Sequence, residues 1–339
     1  MKEVYFDFFG EKVLVESDWE KILFYIGKDF SQFKIQDNQN LQFDLKITIF
    51  NKNPSEIKIP EQSPKLKTRN SLTYEENQIR YNDYHGRLLS IFNYKSESGI
   101  IYSLDEDKTH EITYLLILSR VGKKLDLKGL CKLHAFAIEF KNKAIVCMMP
   151  MGAGKSTLLI ELLKNKEVRM ISDDIPLVNH EGSIVPFPIK IGTNEEGLQS
   201  LNLEGNTQDV FSLNREFYGK KIFVSVDAIK ERVATLDKTY QNIILINGKR
   251  KESLKTTIEK ANLISTFLGL FYHGIIGIGL PLIFEYFWEF GIFDFARKAK
   301  IFFIRLRNFT CLMLKASNYK MDLGKDSTQA AQKILELAK

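Results

Sequence analysis

The chain has 339 residues, of which 44% are hydrophobic and 27% are charged, a balance that excludes a disordered or fibrous protein and allows a sizeable buried core. Its formal net charge of +6 suits a small anionic ligand but is too diffuse to predict nucleic acid as a partner. The three cysteines have neither disulfide-framework nor metal-site spacing, which indicates a reducing compartment. The start of the chain has no uninterrupted apolar run, so we expect no signal peptide and a cytoplasmic protein.

The N-terminal third of the sequence is rich in strand patterns. Ser17-Asp18-Trp19-Glu20 resembles a capping box ahead of an apolar run and predicts a short helix. Helical spacing over His110–Lys124 predicts a second helix that closes this region. We therefore expect a β-rich N-terminal domain over residues 1–125. Alternation of apolar and polar side chains predicts its clearest strands at Leu41–Phe50, Arg87–Lys95 and Gly99–Asp105.

The remaining residues, 126–339, alternate strand and helix patterns and predict an α/β domain. Two apolar strands, CKLHAFAIEF and AIVCMM, flank a tight turn at Lys141-Asn142 or Asn142-Lys143. A glycine-rich loop, the helix STLLIELLKN and the strand VRMIS follow. Further strands are predicted over Lys221–Asp227 and Tyr240–Gly248. At the end of the chain, TCLMLKASNYKMDLG predicts a strand, and a helix follows with Asp326 or Ser327 as its N-cap.

One apolar segment, Ala261–Phe284, contains no Asp, Glu, Lys or Arg. Its length would suffice to span a bilayer, since about 20 apolar residues are needed. However, His273, four glycines and Pro281 interrupt it. These breaks favour a buried helix–loop–helix near the functional site over a membrane span.

The stretch MMPMGAGKST, Met148–Thr157, has the pattern of a phosphate-binding loop that leads into a helix. In such loops backbone N–H groups point at phosphate oxygens, and glycines allow the close approach. Lys155 would contact the β- and γ-phosphates and Ser156 would ligate Mg²⁺. Met149 stands where the general pattern has its first glycine. The predicted ATP-binding residues are Gly152, Ala153, Gly154, Lys155, Ser156 and Thr157.

Two adjacent carboxylates, Asp173 and Asp174, end the strand that follows the loop helix. A right-handed crossover would bring this strand end to the loop. One carboxylate could then accept a proton and the other could hold Mg²⁺, although an aspartate pair can also simply cap a solvated turn. His134 would pair with Met149 or Met151 across the predicted hairpin, at the mouth of the loop. There it could contact the γ-phosphate or the acceptor, although it could equally be a hydrogen-bonded strand histidine without a role.

A basic cluster, Arg215, Lys220 and Lys221, surrounds a glycine further along the chain. Such a segment could close over a triphosphate, which makes Arg215 a candidate nucleotide ligand. A run of positive charge can equally be a solvated face of the protein.

The segment from His134 to Val178 resembles the kinase domain of HPr kinase/phosphorylase and its relatives, which share a fold with phosphoenolpyruvate carboxykinases. The resemblance rests on a histidine on the strand before the loop, a G-x-G-K-S-T loop and an aspartate pair shortly after it. It implies an α/β P-loop kinase core of this type. The β-rich N-terminal region lies outside the resemblance and is a candidate for acceptor recognition.

The resemblance further implies an ATP- and Mg²⁺-dependent kinase that phosphorylates a serine-type hydroxyl. Asp173 would be the general base, with Asp174, His134 and Lys155 as the other catalytic residues; Ser156 and Asp174 would hold the metal. A peptide or small-protein acceptor is expected in preference to a small hydroxyl-bearing metabolite. A nucleotide-binding ATPase or scaffold without an acceptor is the other alternative. No nucleic-acid partner or membrane is expected, and relatives of this kind often form homo-oligomers.

Overall fold

A computed structural model describes residues 1–36, 42–201, 203, 207–215, 219–251, 255–276 and 292–339. The protein is of mixed α/β class and contains several separate sheets. Its described residues form two compact units. The first contains residues 1–124 with parts of 213–220 and 292–294, and the second contains the other described residues.

The first unit is built on a nine-stranded sheet with the order β3-β1-β2-β4-β9-β8-β7-β6-β5. The inner pairs β2–β4 and β4–β9 are parallel, whereas the other neighbours are antiparallel. Both edge strands are only two residues long, a length that limits unwanted edge pairing. The strands are β1 (Lys2–Phe8), β2 (Glu11–Ser17), β3 (Lys34–Ile35), β4 (Leu45–Asn51), β5 (Leu66–Lys67), β6 (Leu72–Glu76), β7 (Ile79–Asp83), β8 (Leu88–Asn93) and β9 (Ser98–Ser103).

The two helices predicted in this unit are present, but the first begins differently. Helix α1 (Glu20–Asp29) has Trp19 as its N-cap residue without a side-chain cap. The predicted capping box is therefore wrong, because the Ser17 hydroxyl accepts the Trp19 N–H at 2.9 Å before the helix begins. Helix α2 (Glu106–Leu127) is longer than the predicted one. Short 3₁₀ turns lie at Ser31–Phe33 and Pro54–Glu56.

The second unit is organised around a six-stranded sheet with the order β13-β11-β12-β19-β21-β20. The predicted hairpin turn is at Lys141-Asn142, since Phe140 pairs with Lys143 and both turn residues have positive φ, as a tight two-residue turn requires. The sheet strands are β11 (Phe136–Phe140), β12 (Lys143–Met148), β13 (Arg169–Ser172), β19 (Ile243–Arg250), β20 (Thr257–Lys260) and β21 (Ser317–Leu323).

Smaller sheets complete the second unit, with the orders β10-β14-β15 and β16-β18-β17. The predicted strand over Lys221–Asp227 ends early, because a 3₁₀ segment begins at Val226. Within the last sheet, residues 213–215 and 219–220 group with the first unit. These strands are β10 (Cys131–Lys132), β14 (Leu177–Val178), β15 (Ile184–Val185), β16 (Ile191–Thr193), β17 (Val210–Arg215) and β18 (Gly219–Val224), and 3₁₀ segments lie at Thr207–Asp209 and Val226–Arg232.

Helices cover both faces of the six-stranded sheet. Helices α3 (Lys155–Leu163) and α7 (Ser327–Glu336) pack on one face, and α5 (Leu263–Phe271) and α6 (Ile292–Lys315) contribute to the core on the other. Helix α4 (Glu195–Ser200) is short. Asp326 caps α7 by accepting the Gln329 N–H at 3.0 Å, as predicted.

Two predictions near the C-terminus need separate comment. Residues Thr310–Lys315 are the end of α6 and not the start of a strand, because their apolar side chains Leu312 and Met313 pack into the core at helical spacing. In the apolar segment Ala261–Phe284, α5 is followed by a π-helical turn, Tyr272–Ile276; residues 277–284 lie outside the described residues. Among the described helices, none combines the length and hydropathy needed to cross a membrane.

Candidate active site

The loop after β12 has the backbone geometry of an anion-binding turn. Gly152 and Gly154 adopt φ values of +76° and +94°, which other residues reach only with strain. Gly154 is the N-cap of α3, whose first residue is Lys155. The first N–H groups of a helix lack partners within the helix and attract anions. This loop therefore offers the backbone that a phosphate group requires.

Met149, the residue in place of the usual glycine, is part of the core below the loop. Its side chain is completely buried and lies against Gly248 on the neighbouring strand β19. A Cβ added at Gly248 would come within 3.0 Å of the Met149 Cγ. Gly248 on β19 therefore leaves the space that the Met149 side chain fills. With methionine at position 149, Gly152 and Gly154 of the loop still have positive φ.

Lys155 lies at the centre of a cluster of polar side chains. Its Nζ donates to Asp174 Oδ1 at 2.9 Å and also contacts the His134 Nε2. The His134 Nδ1 is 3.2 Å from the same carboxylate oxygen. The three side chains form a closed ring of contacts at the start of α3, and His134 and Lys155 are both largely buried.

The other carboxylate, Asp173, faces Ser156 instead. Its Oδ1 accepts the Ser156 hydroxyl at 3.1 Å, and its Oδ2 accepts the Gly192 N–H at 3.2 Å. The side chain is only 7% exposed. The antiparallel strand β11 lies between β12 and β13, so the loop and the aspartate pair come from strands that are parallel but not adjacent.

The two neighbouring aspartates differ in acidity. Burial, with the nearby charge of Asp174, raises the pKa of Asp173 to about 6. Burial also opposes ionisation of Asp174, but Lys155 and His134 outweigh it and lower the pKa of Asp174. Burial lowers the pKa of His134, and Lys155 adds to this effect. At neutral pH the Asp174 carboxylate is therefore ionised, whereas Asp173 takes up a proton at a pH of about 6.

Two further cations lie near these residues. The Lys221 side chain packs over Gly192, the residue whose amide binds Asp173. Its charge offsets part of the rise in the pKa of Asp173 and contributes to the lowered pKa of Asp174. Arg250 Nη1 is 3.4 Å from the position that a Cβ on Gly154 would occupy. Arg250 was not among the predicted site residues. Its position at the end of β19, a strand parallel to β12, is a signal that could have indicated it.

The structure brings most of the predicted site residues together. The side chains of Lys155, Asp174 and His134 contact one another, and that of Ser156 contacts Asp173. Their catalytic and metal-binding roles stay predictions. The side chain of Arg215 lies outside the described residues, although its backbone ends β17. The remaining predicted nucleotide ligands occupy the loop and the first turn of α3: Gly152, Ala153, Gly154 and Thr157.

The donor set is suited to Mg²⁺ bound with a nucleotide. Mg²⁺ prefers oxygen ligands and takes one or two from the protein beside phosphates and water, and the Ser156 hydroxyl and two carboxylates supply such oxygens. In the part of the chain that the structure describes, no group of three or more His, Cys, Asp or Glu side chains is arranged to hold a metal by itself. Comparison with known proteins found no matching family model and no matching curated protein.

Proposed function

We propose that the protein is an ATP- and Mg²⁺-dependent kinase, a divergent relative of the HPr kinase family, with a P-loop kinase core in its second unit. Its substrate would be a serine-type hydroxyl on a peptide or small protein. The observation that carries the proposal is the convergence of Lys155 and Ser156 with His134 and the aspartate pair at the loop. A loop that only bound phosphate would not need two carboxylates beside its lysine.

Asp173 is the residue best suited to act as general base. Its pKa, raised to about 6, lets it be ionised at neutral pH and still accept a proton readily. Ser156 and Gly192 occupy one direction on each carboxylate oxygen, and a carboxylate has further lone pairs to accept an acceptor hydroxyl. In the transfer, the acceptor oxygen forms a bond to the γ-phosphorus, the bond between that phosphorus and the β–γ bridging oxygen breaks, and the hydroxyl proton passes to Asp173.

Asp174 is suited to the opposite task, because its lowered pKa keeps it ionised. It holds the Lys155 ammonium at 2.9 Å, and a rotation of that lysine would bring its charge to the phosphates. Asp174 and Ser156 would hold Mg²⁺, which supplies charge neutralisation of the phosphates when bound. The Ser156 hydroxyl can give a lone pair to a cation and still donate its proton to Asp173.

His134 completes this group as a neutral hydrogen-bonding partner of Lys155. Its lowered pKa leaves one ring nitrogen free to accept from the ammonium while the other donates to Asp174. Lys221, beside Gly192, and Arg250, beside Gly154, add positive charge and would stabilise negative charge that develops during transfer. A peptide acceptor is preferred because the resemblance points to one.

The proposal is tested with γ-labelled ATP, Mg²⁺ and the purified full-length protein. A panel of serine-containing peptides and small hydroxyl metabolites serves as acceptors. We expect label on a peptide with the wild type, and none with Lys155→Ala. Asp173→Asn should retain ATP binding but lose transfer by roughly 10²-fold or more.

Each other outcome would indicate a different function for the protein or a different role for Asp173. Label on a metabolite would replace the peptide acceptor, and release of free phosphate alone would indicate an ATPase. ATP binding without any turnover would indicate a scaffold. Full transfer activity of Asp173→Asn would contradict the assignment of the general base. His180→Ala, at an exposed histidine away from the cluster, is the control and should behave as wild type.

A further inference from the structure

A second histidine, His273, lies directly beside His134. It is only 3% exposed and belongs to the π-helical turn after α5. The ring centroids of the two histidines are 6.1 Å apart, with an angle of 24° between the ring planes. The His273 carbonyl accepts the His134 N–H at 3.1 Å. His273 therefore contacts His134 through both its ring and its backbone.

The turn that carries His273 is held firmly on its other sides. Gly274 lies so close to the Phe309 ring that any Cβ there would collide with it. Arg305 donates to the Gly274 carbonyl at 3.2 Å and also forms an ion pair with Asp126. These contacts fix the backbone next to His273, so its ring is a rigid support and not a mobile neighbour.

The contact between the two side chains is a stacking of rings, which another aromatic side chain at position 273 could also make. Among the described residues, the His273 Nδ1 is a buried atom without a hydrogen-bond partner, and such an atom costs stability. A phenyl ring would fill a similar space without this cost. Burial, with the charges of His134 and Lys155, lowers the pKa of His273 to about 4, so the ring is neutral at pH 7 and does not repel the Lys155 ammonium.

We infer that His273 is a positioning residue of the site, which holds the His134 ring so that Nδ1–H faces Asp174 and Nε2 faces Lys155. His273 acts through His134 and does not touch the nucleotide. The inference deepens the proposed function and rests on it for any kinetic effect. The orientation of His134, however, is a property of the folded chain and can be measured without activity.

The first test is nitrogen NMR of the histidine side chains in full-length protein. The chain has 5 histidines, and the His134 signals are identified by their loss in His134→Gln. We expect the wild type to show one His134 tautomer with Nδ1 protonated. His273→Phe keeps an aromatic ring and should preserve this pattern, whereas His273→Leu fills the space without a ring and should give averaged shifts of two tautomers.

Comparison of the two variants decides the question. If His273→Phe and His273→Leu leave the His134 signals alike, whether both unchanged or both averaged, the inference is overturned. Thermal unfolding of each variant confirms that it is folded before its spectrum is compared. His180→Leu, at an exposed position, is the matched control for loss of a histidine and should leave the His134 signals unchanged.

The second test separates positioning from packing by kinetics. We expect His273→Leu to lower kcat about 10-fold, because a tilted Lys155 still binds the phosphates of ATP but stabilises the charge that develops during transfer less well, while KM for ATP changes by less than about twofold. His273→Phe should restore most of kcat. A rise in KM for ATP with unchanged kcat would overturn the inference, because it would mean that His273 affects the binding of ATP and not the transfer step. Absence of transfer in the wild type would contradict the proposed function, while the NMR comparison would still decide the role of His273.

Discussion

At the scale of single residues, the site contains a buried carboxyl group, Asp173, whose ionised form lowers the stability of the folded chain. Asp173 is nearly inaccessible, and its pKa is raised to about 6 mainly by burial. The folded chain therefore binds a proton at this group more tightly than the unfolded chain, whose aspartates have a pKa of about 3.9. The contribution of Asp173 to stability is greatest below the unfolded pKa and is lost as the pH rises through about 6.

Asp173→Asn should therefore stabilise the protein in the absence of nucleotide and metal. At about pH 7.5 the ionised group costs the folded state up to about 3 kcal/mol by linkage, and asparagine removes the charge while keeping one acceptor oxygen. Thermal unfolding should give a higher Tm for the variant, and the difference should narrow as the pH falls below about 6. An unchanged or lower Tm at neutral pH would mean that the charge is well solvated.

Met149 allows a second prediction at the same scale. Gly248→Ala should cost about 1–3 kcal/mol of unfolding free energy, because its Cβ would lie 3.0 Å from Met149 Cγ and 2.9 Å from Met321 Cε. Met149→Ala should cost about 2–5 kcal/mol by leaving a cavity. We expect the double variant to lose less than the sum of the two, as measured by denaturant unfolding. Strict additivity would show that the two side chains do not compete for space.

At the scale of elements, the phosphate loop depends on backbone conformation more than on side-chain packing. Gly154 has φ of +94° and caps α3. A side chain at this position is strained by about 1–2 kcal/mol in the left-handed region. The conformation and the position at the helix N-terminus together make this glycine a sensitive point of the loop.

Gly154→Ala should therefore lower both stability and affinity for ATP, by about 1–2 kcal/mol and at least about 10-fold respectively. Calorimetric titration with Mg²⁺ and ATP measures the second effect. Gly27→Ala is the control, since Gly27 lies within α1 with nothing close to its added Cβ; it should gain about 0.5–1 kcal/mol through helix propensity. Equal ATP affinity of Gly154→Ala and wild type would contradict binding at this loop.

The sequence was informative where a local pattern decides the structure. The Lys141-Asn142 turn, the loop before α3 and the Asp326 cap all follow from short-range chemistry. The capping box at Ser17 was wrong because its hydroxyl had a nearer donor, the Trp19 N–H. The strand predicted over Thr310–Lys315 was wrong because its apolar side chains also fit a helix that packs on the core.

Contacts between distant parts of the chain could not be predicted in this way. His134 was expected near the loop, but its contact with Lys155 and Asp174 depends on side-chain geometry. Arg250 and His273 were missed, since an isolated arginine after a strand and a histidine in an apolar run carry no motif. The parallel pairing of β2 with β4 and of β4 with β9 likewise has no signal in strand alternation.

At the scale of the whole molecule, the candidate site belongs to one compact unit. The loop, the aspartate pair, Gly192 and His134 all lie within residues 125–212, and His273 lies within the same unit. We expect a bound nucleotide to restrict the motion of the backbone around these residues more than in the first unit. The location of the site therefore predicts where a bound nucleotide should slow amide hydrogen exchange.

We expect Mg²⁺ and ATP to protect peptides that cover residues 149–160, 171–174 and 191–193 from exchange. Peptides from the nine-stranded sheet, such as β4 and β9, should exchange at the same rate with and without nucleotide. Lys155→Ala should remove the protection, which makes it the control for non-specific effects of ATP. Protection centred on the nine-stranded sheet would place the nucleotide in the first unit and contradict the proposed site.

The contact between Met149 and Gly248 has a consequence for the evolution of this protein. A side chain at the first loop position requires a vacancy on the adjacent strand, so the two positions are not free to change independently. Among descendants of a common ancestor, we expect substitutions at 149 and 248 to occur together: a small residue returning at the first should accompany a larger one at the second. A search pattern that demands glycine at the first loop position would overlook a loop of this kind.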